Sequence, residues 1–299
     1  MLLPLPIGCL LLFQIQGGDA ALAARIQQLF NVVLTTDDHE QEAAAWDEAK
    51  AIFVQRGLPS AAVVGDETAY KFVWLTCTPG PEGFQRQVLG KAREGAKSHQ
   101  VPDDAASYCA AHIRQDIVKT KAKKHAPANS ALRDQIERLF EADQAVRQRS
   151  QFDKEKMSQS DRDQRAALET IFVKYGVPTY RMVGPQAASD FVTMIQHQSA
   201  EFRLRVLPRL KANVDSGQAD PGSYTKMFDR SQLDAGRKQR YGENLICDSD
   251  NPKLHIAPIA NEQNVNQRRA AIGLMRLELY AELVAKMTPD LCAVAPGAK

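Results

Sequence analysis

The stretch IFVKYGVPTYRMVG, residues 171–184, decides the fold because the chain contains it twice. The other version is IFVQRGLPSAAVVG, residues 52–65, and seven of the fourteen positions are identical, including both glycines and the proline. Two such versions in one chain predict an internal duplication, with a first copy around residues 52–65 and a second copy around residues 171–184. A length of 299 residues suffices for two domains that each bury a core.

The correspondence between the copies extends upstream of these stretches. Apolar residues recur there at spacings of four, three and one, which is typical of an amphipathic α-helix. They are Leu22, Ile26, Leu29 and Phe30 in the first copy and Leu132, Ile136, Leu139 and Phe140 in the second. Residues 190–212 predict one further helix that is apolar on much of its circumference. The fold class is therefore predicted as mainly α, with two duplicated helical domains.

The second copy continues into LICDSDNPKLHIAPI, residues 245–259. Two short β-prone runs around a turn-rich segment predict a short β-hairpin in the C-terminal domain. One long helix is predicted to follow, over residues 262–286. The predicted organisation is a signal peptide at 1–20, a degenerate helical repeat domain at 21–118, a basic linker at 119–130, a site-bearing helical domain at 131–287 and a tail at 288–299.

The charge balance excludes one class of partner. There are 38 Lys and Arg residues against 36 Asp and Glu, for a net charge of +2, so no field steers nucleic acid to the surface. The basic stretch KTKAKKHAPANS, residues 119–130, is interpreted as a solvated tether, with a binding patch as the alternative. The expected partners are a small polar or anionic ligand or a protein partner, and no nucleic acid.

The first twenty residues differ in composition from the rest. An apolar run covers residues 2–13, and small residues follow at Gly18 and Ala20, which is typical of a secretory signal peptide although a basic start is missing. The run is too short to span a bilayer, so no transmembrane span is predicted. The expected location is periplasmic or secreted. The alternative is a mis-assigned start or a buried first helix.

Export changes how the cysteines are interpreted. Removal of a signal peptide would leave Cys77, Cys109, Cys247 and Cys292, which allow three pairings. The local pairing puts one bridge in each half of the chain. In a cytoplasmic protein the same four residues would be free thiols. No Cys-x-x-Cys or Cys/His spacing indicates zinc, and no particular cofactor is indicated.

The second copy has a carboxylate where the first copy is apolar. The helical stripe of the first copy continues to Val33, whereas the matching stripe continues to Asp143. Burial of an unpaired carboxylate costs several kcal/mol, so Asp143 needs a partner or a water-filled pocket. We interpret Asp143 as a candidate catalytic residue. The alternative is that the helix leaves the core at this turn and Asp143 pairs with Arg147.

Two further candidate catalytic residues are His197 and Asp229. The first copy has TCTPG, residues 76–80, in place of the histidine segment. Histidine can gain or lose a proton near neutral pH, so His197 is the candidate general acid or base, and Asp143 or Asp229 would orient it. A metal variant of this hypothesis uses Asp143, His197 and Asp229 as ligands. The alternatives are a surface histidine and a surface ion pair between Asp229 and Arg230.

The remaining candidates are polar residues near the end of the second copy. The predicted ligand-binding residues are Arg230, Gln239, Tyr241, Arg268 and Arg269. Arg269 falls on an apolar helical stripe, so its guanidinium is expected to pair with an inward carboxylate or to hold an anion. Gly242 permits a tight turn that would present Gln239 and Tyr241. The alternatives are an arginine whose methylenes pack while its head reaches water, and ordinary loop chemistry.

These motifs together resemble a bacterial domain family of unknown function with a Gln-x-Tyr-Gly-Thr-Gln signature and a downstream Arg-Arg-x-x-x-Gly-Leu segment. The matching pieces occur in order as Asp143-Gln144, Gly176-Val177-Pro178, Gln196-His197, Asp229-Arg230, Gln239-Arg240-Tyr241-Gly242, Arg268-Arg269 and Gly273-Leu274. The resemblance covers roughly residues 130–283, and the N-terminal half of the chain resembles the family only weakly. Glu243-Asn244 replaces the family's Thr-Gln. The resemblance implies no reaction.

Two functions fit this pattern. The first is an exported enzyme that acts on a small polar or anionic substrate. The second is a non-catalytic periplasmic helical module that binds a ligand or a protein. The sequence contains no serine elbow, phosphate-cradling glycine loop, nucleotide fingerprint or His-Glu-x-x-His motif, which excludes the commonest chemistries that motifs identify.

Overall fold

The computed structural model describes residues 8–78, 80–149, 153–247, 254–287 and 292, without the side chains of residues 8–19 and 149. It is 76% helical, and its described part contains 14 helices and one two-stranded antiparallel hairpin. The predicted mainly α fold class is confirmed. Within these same residues, no helix is both long enough and apolar enough to cross a membrane.

Contacts divide the chain into two compact units. The first unit falls within Met1–Ile113 and Glu278–Pro289, and the second within Arg114–Leu277 and Asp290–Lys299. The division lies inside a helix, five residues before the predicted end of the first domain at 118. The predicted domain boundaries stay a prediction. Residues 1–7 of the predicted signal peptide, and all of the predicted tail except Cys292, lie outside the described residues.

Helices α1 to α6 lead from the first unit into the second. They are α1 (Gly8–Thr35), α2 (His39–Arg56), α3 (Ala61–Val64), α4 (Asp66–Cys77), α5 (Glu82–Lys97) and α6 (Asp103–Lys123). The predicted signal segment therefore falls partly in α1, and the predicted linker begins in the last turn of α6. The core is formed by apolar side chains that include Ile26, Phe30, Phe72 and Leu75.

The second unit contains the remaining helices up to the start of the last one. They are α7 (Ser130–Arg149), α8 (Lys154–Tyr175), α9 (Tyr180–Val183), α10 (Pro185–Gln196), α11 (Ala200–Asp215), α12 (Pro221–Asp234) and α13 (Val265–Ala271), with α14 (Leu277–Met287) following. Strands β1 (Leu245–Cys247) and β2 (Leu254–Ile256) pair antiparallel, with Ile246 opposite His255. The predicted hairpin is confirmed. A 3₁₀ turn at Glu262–Asn264 precedes α13.

The two versions of the repeated stretch have the same local structure. Each leaves a long helix at a glycine with positive φ, Gly57 at 73° and Gly176 at 72°, where a side chain would be strained. A four-residue helix and a twelve-residue helix follow in both units, as α3 and α4 in one and α9 and α10 in the other. A duplication would produce such equal lengths. The duplication itself stays a prediction.

Helix α10 occupies the middle of the second unit and positions the site. It packs against α7, α8, α9, α11 and α12. Its side chains Phe191 and Ile195 are buried in a core that also contains Ile136, Leu168 and Phe202. Because α7 and α8 both pack against α10, polar residues from the C-terminal part of α7, the N-terminal half of α8 and the C-terminus of α10 lie close together beside the apolar core.

Two predicted helices are interrupted, and in both cases the prediction of one continuous helix was wrong. The helix expected over 190–212 ends at Gln196 and restarts at Ala200, because Ser199 adopts extended backbone and caps the new helix by accepting a hydrogen bond from the Phe202 N–H. The helix expected over 262–286 breaks at Gly273, whose φ of 82° ends α13. Periodicity alone does not reveal such breaks when the apolar stripe resumes in phase.

Candidate functional site

Three of the polar residues from three different helices form one group, which we call the Asp–Asp–His cluster. Asp143 lies near the end of α7, Asp161 in the first half of α8, and His197 at the C-cap of α10. One potential ligand atom from each residue lies within 4.8 Å of the others. The tertiary structure thus joins two of the predicted catalytic residues, Asp143 and His197, with a third carboxylate.

Asp143 is 1% exposed, and both of its carboxylate oxygens accept hydrogen bonds. Arg147 donates from Nε to its Oδ2 over 3.0 Å and from Nη2 to its Oδ1 over 2.9 Å, and Gln144 donates to Oδ2 over 2.9 Å. Burial raises the pKa of Asp143, but the attraction of His197 and Arg147 outweighs it and lowers that pKa to about 2. The carboxyl group is therefore ionised across the neutral range.

Asp161 completes the cluster, although sequence reasoning missed it. Arg147 donates from the same Nη2 to Oδ1 of Asp161 over 2.5 Å. Burial raises the pKa of Asp161, and Asp143 adds to the increase, while Arg147 and His197 oppose it. A signal was present, because the apolar stripe of Leu168 and Ile171 in α8 runs back through Gln164 to Asp161 at helical spacing.

His197 presents two different nitrogens. Nδ1 is buried, lies 3.4 Å from Oδ1 of Asp143 and makes no hydrogen bond to the described residues. The imidazole is 27% exposed, and Nε2 is neither buried nor hydrogen-bonded within the described part of the chain. The ring therefore points one nitrogen at an ionised carboxylate and leaves the other accessible.

The turn that carries His197 is held from two sides. Arg203 in α11 is buried, donates from Nη1 to the backbone carbonyl of Gln198 and is anchored by Asp234 through Nη2. From the other side, Gln198 donates from Nε2 to the backbone carbonyl of Asp161 over 3.1 Å. These contacts fix the distance between the α10 terminus and α8, which is a requirement for a preorganised site.

The cluster has the chemistry of a general acid–base dyad and of a cation site. A carboxylate beside Nδ1 sets the orientation and tautomer of a histidine whose Nε2 moves protons. Two carboxylates and an imidazole also suit a divalent transition metal or zinc. A metal would have to displace the Arg147 guanidinium, because its Nη2 already contacts both carboxylates.

A groove lies between α7 and α8, the two helices that carry the carboxylates of the cluster. Its volume is about 540 Å³, and Ala142, Val146, Ser160 and Gln164 contribute to its lining. Ala142 precedes Asp143 and Ser160 precedes Asp161 in the chain. Asp143, Asp161 and His197 are not themselves among the residues that line the groove.

The second predicted group is a set of structural contacts rather than part of the cluster. Asp229 is 0% exposed, and its carboxylate accepts hydrogen bonds from the backbone N–H groups of Arg240, Tyr241 and Glu243 over 2.7 to 3.1 Å. Burial raises the pKa of Asp229, and these hydrogen bonds oppose the increase. Asp229 is not one of the three residues of the Asp–Asp–His cluster; the second carboxylate of that cluster is Asp161.

Gln239 and Arg269 hold the same loop, residues 239–243. Gln239 is buried and donates to the backbone carbonyls of Asn244 and Ala257. Arg269 is also buried and donates to the carbonyl of Tyr241 over 2.7 Å and to Oε1 of Glu243 over 2.8 Å. The inward carboxylate that Arg269 was expected to require is Glu243, at the position where the sequence departs from the resembled signature.

The other ligand-binding candidates lie apart from the Asp–Asp–His cluster in their contacts. Arg268 donates to the carbonyls of Arg240, Ala260 and Asn261. The ring of Tyr241 is buried edge-on against Tyr224 and Phe228. Arg230 is exposed on α12. None of these side chains contacts Asp143 or His197 in the described part of the structure.

The fold and the cluster define a mainly helical protein with a polar Asp–Asp–His site in its second unit. The chain belongs to the family of unknown function DUF6624, whose model matches residues 130–288. The match begins at the first residue of α7 and includes the whole cluster. No curated protein and no solved structure matched the chain. A domain of unknown function in the second half was expected, and this is confirmed; the signature motifs and the bacterial origin stay predictions.

Proposed function

We propose that the second unit is an enzyme that carries out general acid–base chemistry on a small anionic substrate, with His197 as the acid or base. The observation that carries this proposal is the 3.4 Å approach of His197 Nδ1 to the buried, ionised Asp143 while the imidazole remains 27% exposed. Asp143 holds the proton of the ring on Nδ1, so Nε2 is the nitrogen that faces substrate.

Arg147 provides positive charge beside both carboxylates of the cluster. Its Nη2 is occupied by Asp143 and Asp161, while its Nη1 makes no hydrogen bond to the described residues. An anionic substrate group could therefore be bound by Nη1 without breaking the ion pairs. The simplest reaction for this arrangement is hydrolysis, in which Nε2 removes a proton from water as the water oxygen attacks, then returns it to the leaving group.

Enzyme assays with a matched histidine control test this proposal. Wild type, His197→Gln and His39→Gln would be compared on p-nitrophenyl phosphate, bis-p-nitrophenyl phosphate and p-nitrophenyl acetate, with and without EDTA. His39 is a good control because it is exposed in the first unit. We expect His197→Gln to lower kcat by a factor of about 10² to 10⁴ and His39→Gln to leave it unchanged. Equal rates for all three proteins would refute the role of His197.

The EDTA arm separates the two chemistries that the cluster allows. Asp143, Asp161 and His197 would hold a divalent cation, which would supply Lewis-acid chemistry when bound. Metal analysis of the purified protein, together with loss of turnover in EDTA and its return on adding Mn²⁺ or Zn²⁺, would assign that variant. Turnover that resists EDTA favours the metal-free dyad.

A non-catalytic helical binding module is the second candidate. The contact of one Arg147 nitrogen with two carboxylates favours this candidate. Such an ion-pair network can have a purely structural role, in which it fixes the packing of α7 against α8. The two candidates differ in the thermal stability of His197→Gln. A structural network member destabilises on removal, whereas a catalytic residue leaves stability unchanged or raises it.

We also propose that the protein is exported and that the first unit is a degenerate copy of the second. Cys77 pairs with Cys109 and Cys247 with Cys292, at Cα–Cα distances of 5.7 and 5.6 Å, which agrees with the local pairing expected of an exported protein. Cell fractionation and mass spectrometry of the N-terminus would test export. Retention of residues 1–20 in a cytoplasmic fraction with four reactive thiols would contradict it.

A further inference from the structure

A second cavity in the second unit lies away from the residues of the cluster. The end of α6 and the chain that connects it to α7 pass beside α9 and Gln218, and enclose a space of about 560 Å³. Its lining includes Val118, Lys121, Ala122, His125, Arg181 and Gln218, and we call it the basic pocket. A volume of this size is in the range that accommodates small organic ligands.

The charge in the basic pocket has one sign. Lys121, His125 and Arg181 line it, and no Asp or Glu is among the lining residues. None of the three forms an ion pair with a described residue, although many basic residues elsewhere do, such as Lys211 with Asp215. Three basic side chains around one enclosed space leave an uncompensated positive potential, which favours an anion.

Hydrogen bonds make the walls of the basic pocket rigid. Gln218 accepts a hydrogen bond from the Arg181 N–H over 3.0 Å through Oε1. The Ala128 N–H donates to the carbonyl of Arg181 over 3.1 Å, and the Asn129 N–H donates to the carbonyl of Met182 over 2.8 Å. The connecting chain is therefore tied to α9 at two successive residues, so the cavity is preformed rather than a gap beside a free tether.

Part of the lining of the basic pocket is apolar. Val118 and Ala122 lie one turn apart on α6, and Ala126 and Ala128 continue the apolar lining in the connecting chain. Hydrophobic contact with these side chains and ionic contact with the basic ones require a ligand that is both apolar and anionic. A free inorganic anion would use only the basic side chains.

We propose that the basic pocket binds a small amphiphilic anion, an apolar body that carries a carboxylate, sulfonate or phosphate group. Lys121 and Arg181 hold the anionic group, and Val118 with Ala122 contacts the apolar body. This site is independent of His197, so it stands whether or not the second unit is an enzyme. It gives part of the basic stretch at 119–130 a binding role instead of the tether role that its composition indicated.

Fluorescence titration with 1-anilinonaphthalene-8-sulfonate tests this inference. We expect saturable binding to wild type, a Kd raised on the order of tenfold by Lys121→Ala or Arg181→Ala, and weakening by 0.5 M NaCl. Lys124→Ala is the matched control, since Lys124 is exposed in the same stretch but does not line the pocket. It should leave the Kd unchanged, as should His197→Gln.

Competition then distinguishes the two parts of the ligand. Decanoate should displace the probe, whereas decanol and inorganic phosphate at the same concentration should not. Displacement by phosphate alone would overturn the amphiphile and leave a simple anion site. A double variant, Lys121→Ala with Arg181→Ala, that melts like wild type and binds the probe with an unchanged Kd would overturn the site altogether. Both side chains are exposed, so the variants should fold.

Discussion

Arg147 of α7 connects its own helix to α8 through a single guanidinium group. It stabilises one carboxylate that is buried and one that is partly exposed, and Asp143 alone takes two hydrogen bonds from it. Without Arg147, Asp143 would be a buried charge with only Gln144 and His197 beside it. At the residue scale, the stability of the cluster therefore depends on one cation.

Arg147→Ala should destabilise the protein by roughly 2–4 kcal/mol, because it leaves two carboxylates close together without their shared partner. The measurement is urea unfolding at pH 7. The control is Arg162→Ala, which removes an exposed arginine from α8 and should cost less than about 0.5 kcal/mol. Equal effects of the two substitutions would show that the network does not stabilise the fold.

Asp190 gives a prediction about pH. It is buried, and burial raises its pKa, while the hydrogen bond from Gln186 opposes the increase. A raised pKa in the folded state means that the folded protein binds this proton more tightly than the unfolded chain. The Asp190 contribution to the free energy of unfolding is therefore largest at acidic pH, and falls as pH rises above the usual value of 3.8 through the raised pKa.

Asp190→Asn should therefore melt at a higher temperature than wild type at pH 7, and the two melting temperatures should converge as the pH falls toward about 3. The substituted amide keeps an acceptor for Gln186 but carries no charge to bury. Asp37→Asn, at an exposed position, serves as the control and should show no such convergence. A variant that is less stable than wild type at pH 7 would contradict this prediction.

At the scale of elements, the loop 239–243 is held on α12 by one carboxylate. Asp229 accepts backbone hydrogen bonds from three of its residues, as an N-cap side chain does at the start of a helix. An amide in its place would turn an NH₂ group toward these N–H donors. The loop is therefore specific for an acceptor with two oxygens.

Asp229→Asn should destabilise by roughly 2–3 kcal/mol, since it leaves buried backbone donors unpaired. The check is chemical unfolding alongside an activity assay. The sequence-based hypothesis of a catalytic Asp229 makes the opposite prediction, with stability retained and turnover lost. Asp215→Asn on the exposed end of α11 is the control and should change neither.

Two glycines in the second unit, Gly236 and Gly242, allow the cost of backbone strain to be compared with the cost of steric crowding. Gly242 and Gly236 both have positive φ, at 80° and 69°. A methyl group on Gly236 would meet no heavy atom within 4 Å, whereas on Gly242 it would lie 2.5 Å from Leu277 Cδ1 and 3.1 Å from Ile259 Cδ1. Of these two glycines, Gly242 alone combines a left-handed backbone with close packing.

Gly236→Ala should cost about 1–2 kcal/mol, the penalty of the left-handed backbone. Gly242→Ala should cost about 1–3 kcal/mol more, because overpacking adds to the same penalty. Thermal unfolding of both variants gives the comparison. If Gly242→Ala is no worse than Gly236→Ala, then the side chains of Leu277 and Ile259 move enough to admit the methyl group.

At the scale of the whole molecule, each unit has its own disulfide. Cys77–Cys109 closes a sequence separation of 32 residues in the first unit, and Cys247–Cys292 closes one of 45 in the second. A bridge stabilises mainly by restricting the unfolded chain, and the effect grows slowly with the size of the closed loop.

Replacing both cysteines of either bridge by serine should therefore lower the free energy of unfolding by about 3–4 kcal/mol, with the two bridges nearly equal. Differential scanning calorimetry of each double variant measures this. A loss confined to one transition would show that the two units unfold separately. No loss from either variant would indicate that the bridges do not form.

The periodic signal in the sequence translated directly into structure. The stripe through Leu132 and Ile136 became part of α7. The same stripe argument identified Asp143 as a carboxylate in need of a partner, and the structure places Arg147, Gln144 and His197 beside it. Extended to α8, it would have identified Asp161 as well.

The sequence by itself determined the mainly helical class, the hairpin and the inward position of Asp143, because helical and strand patterns depend on residues only a few positions apart. The tertiary structure alone decided which polar residues meet. Asp143 has His197 and Asp161 beside it and not Asp229, because the packing of α7, α8 and α10 around one core sets those distances. Arg269 on α13 likewise meets Glu243, which follows α12 in the chain, because the fold brings these two segments together. A linear sequence specifies such pairs only through the fold.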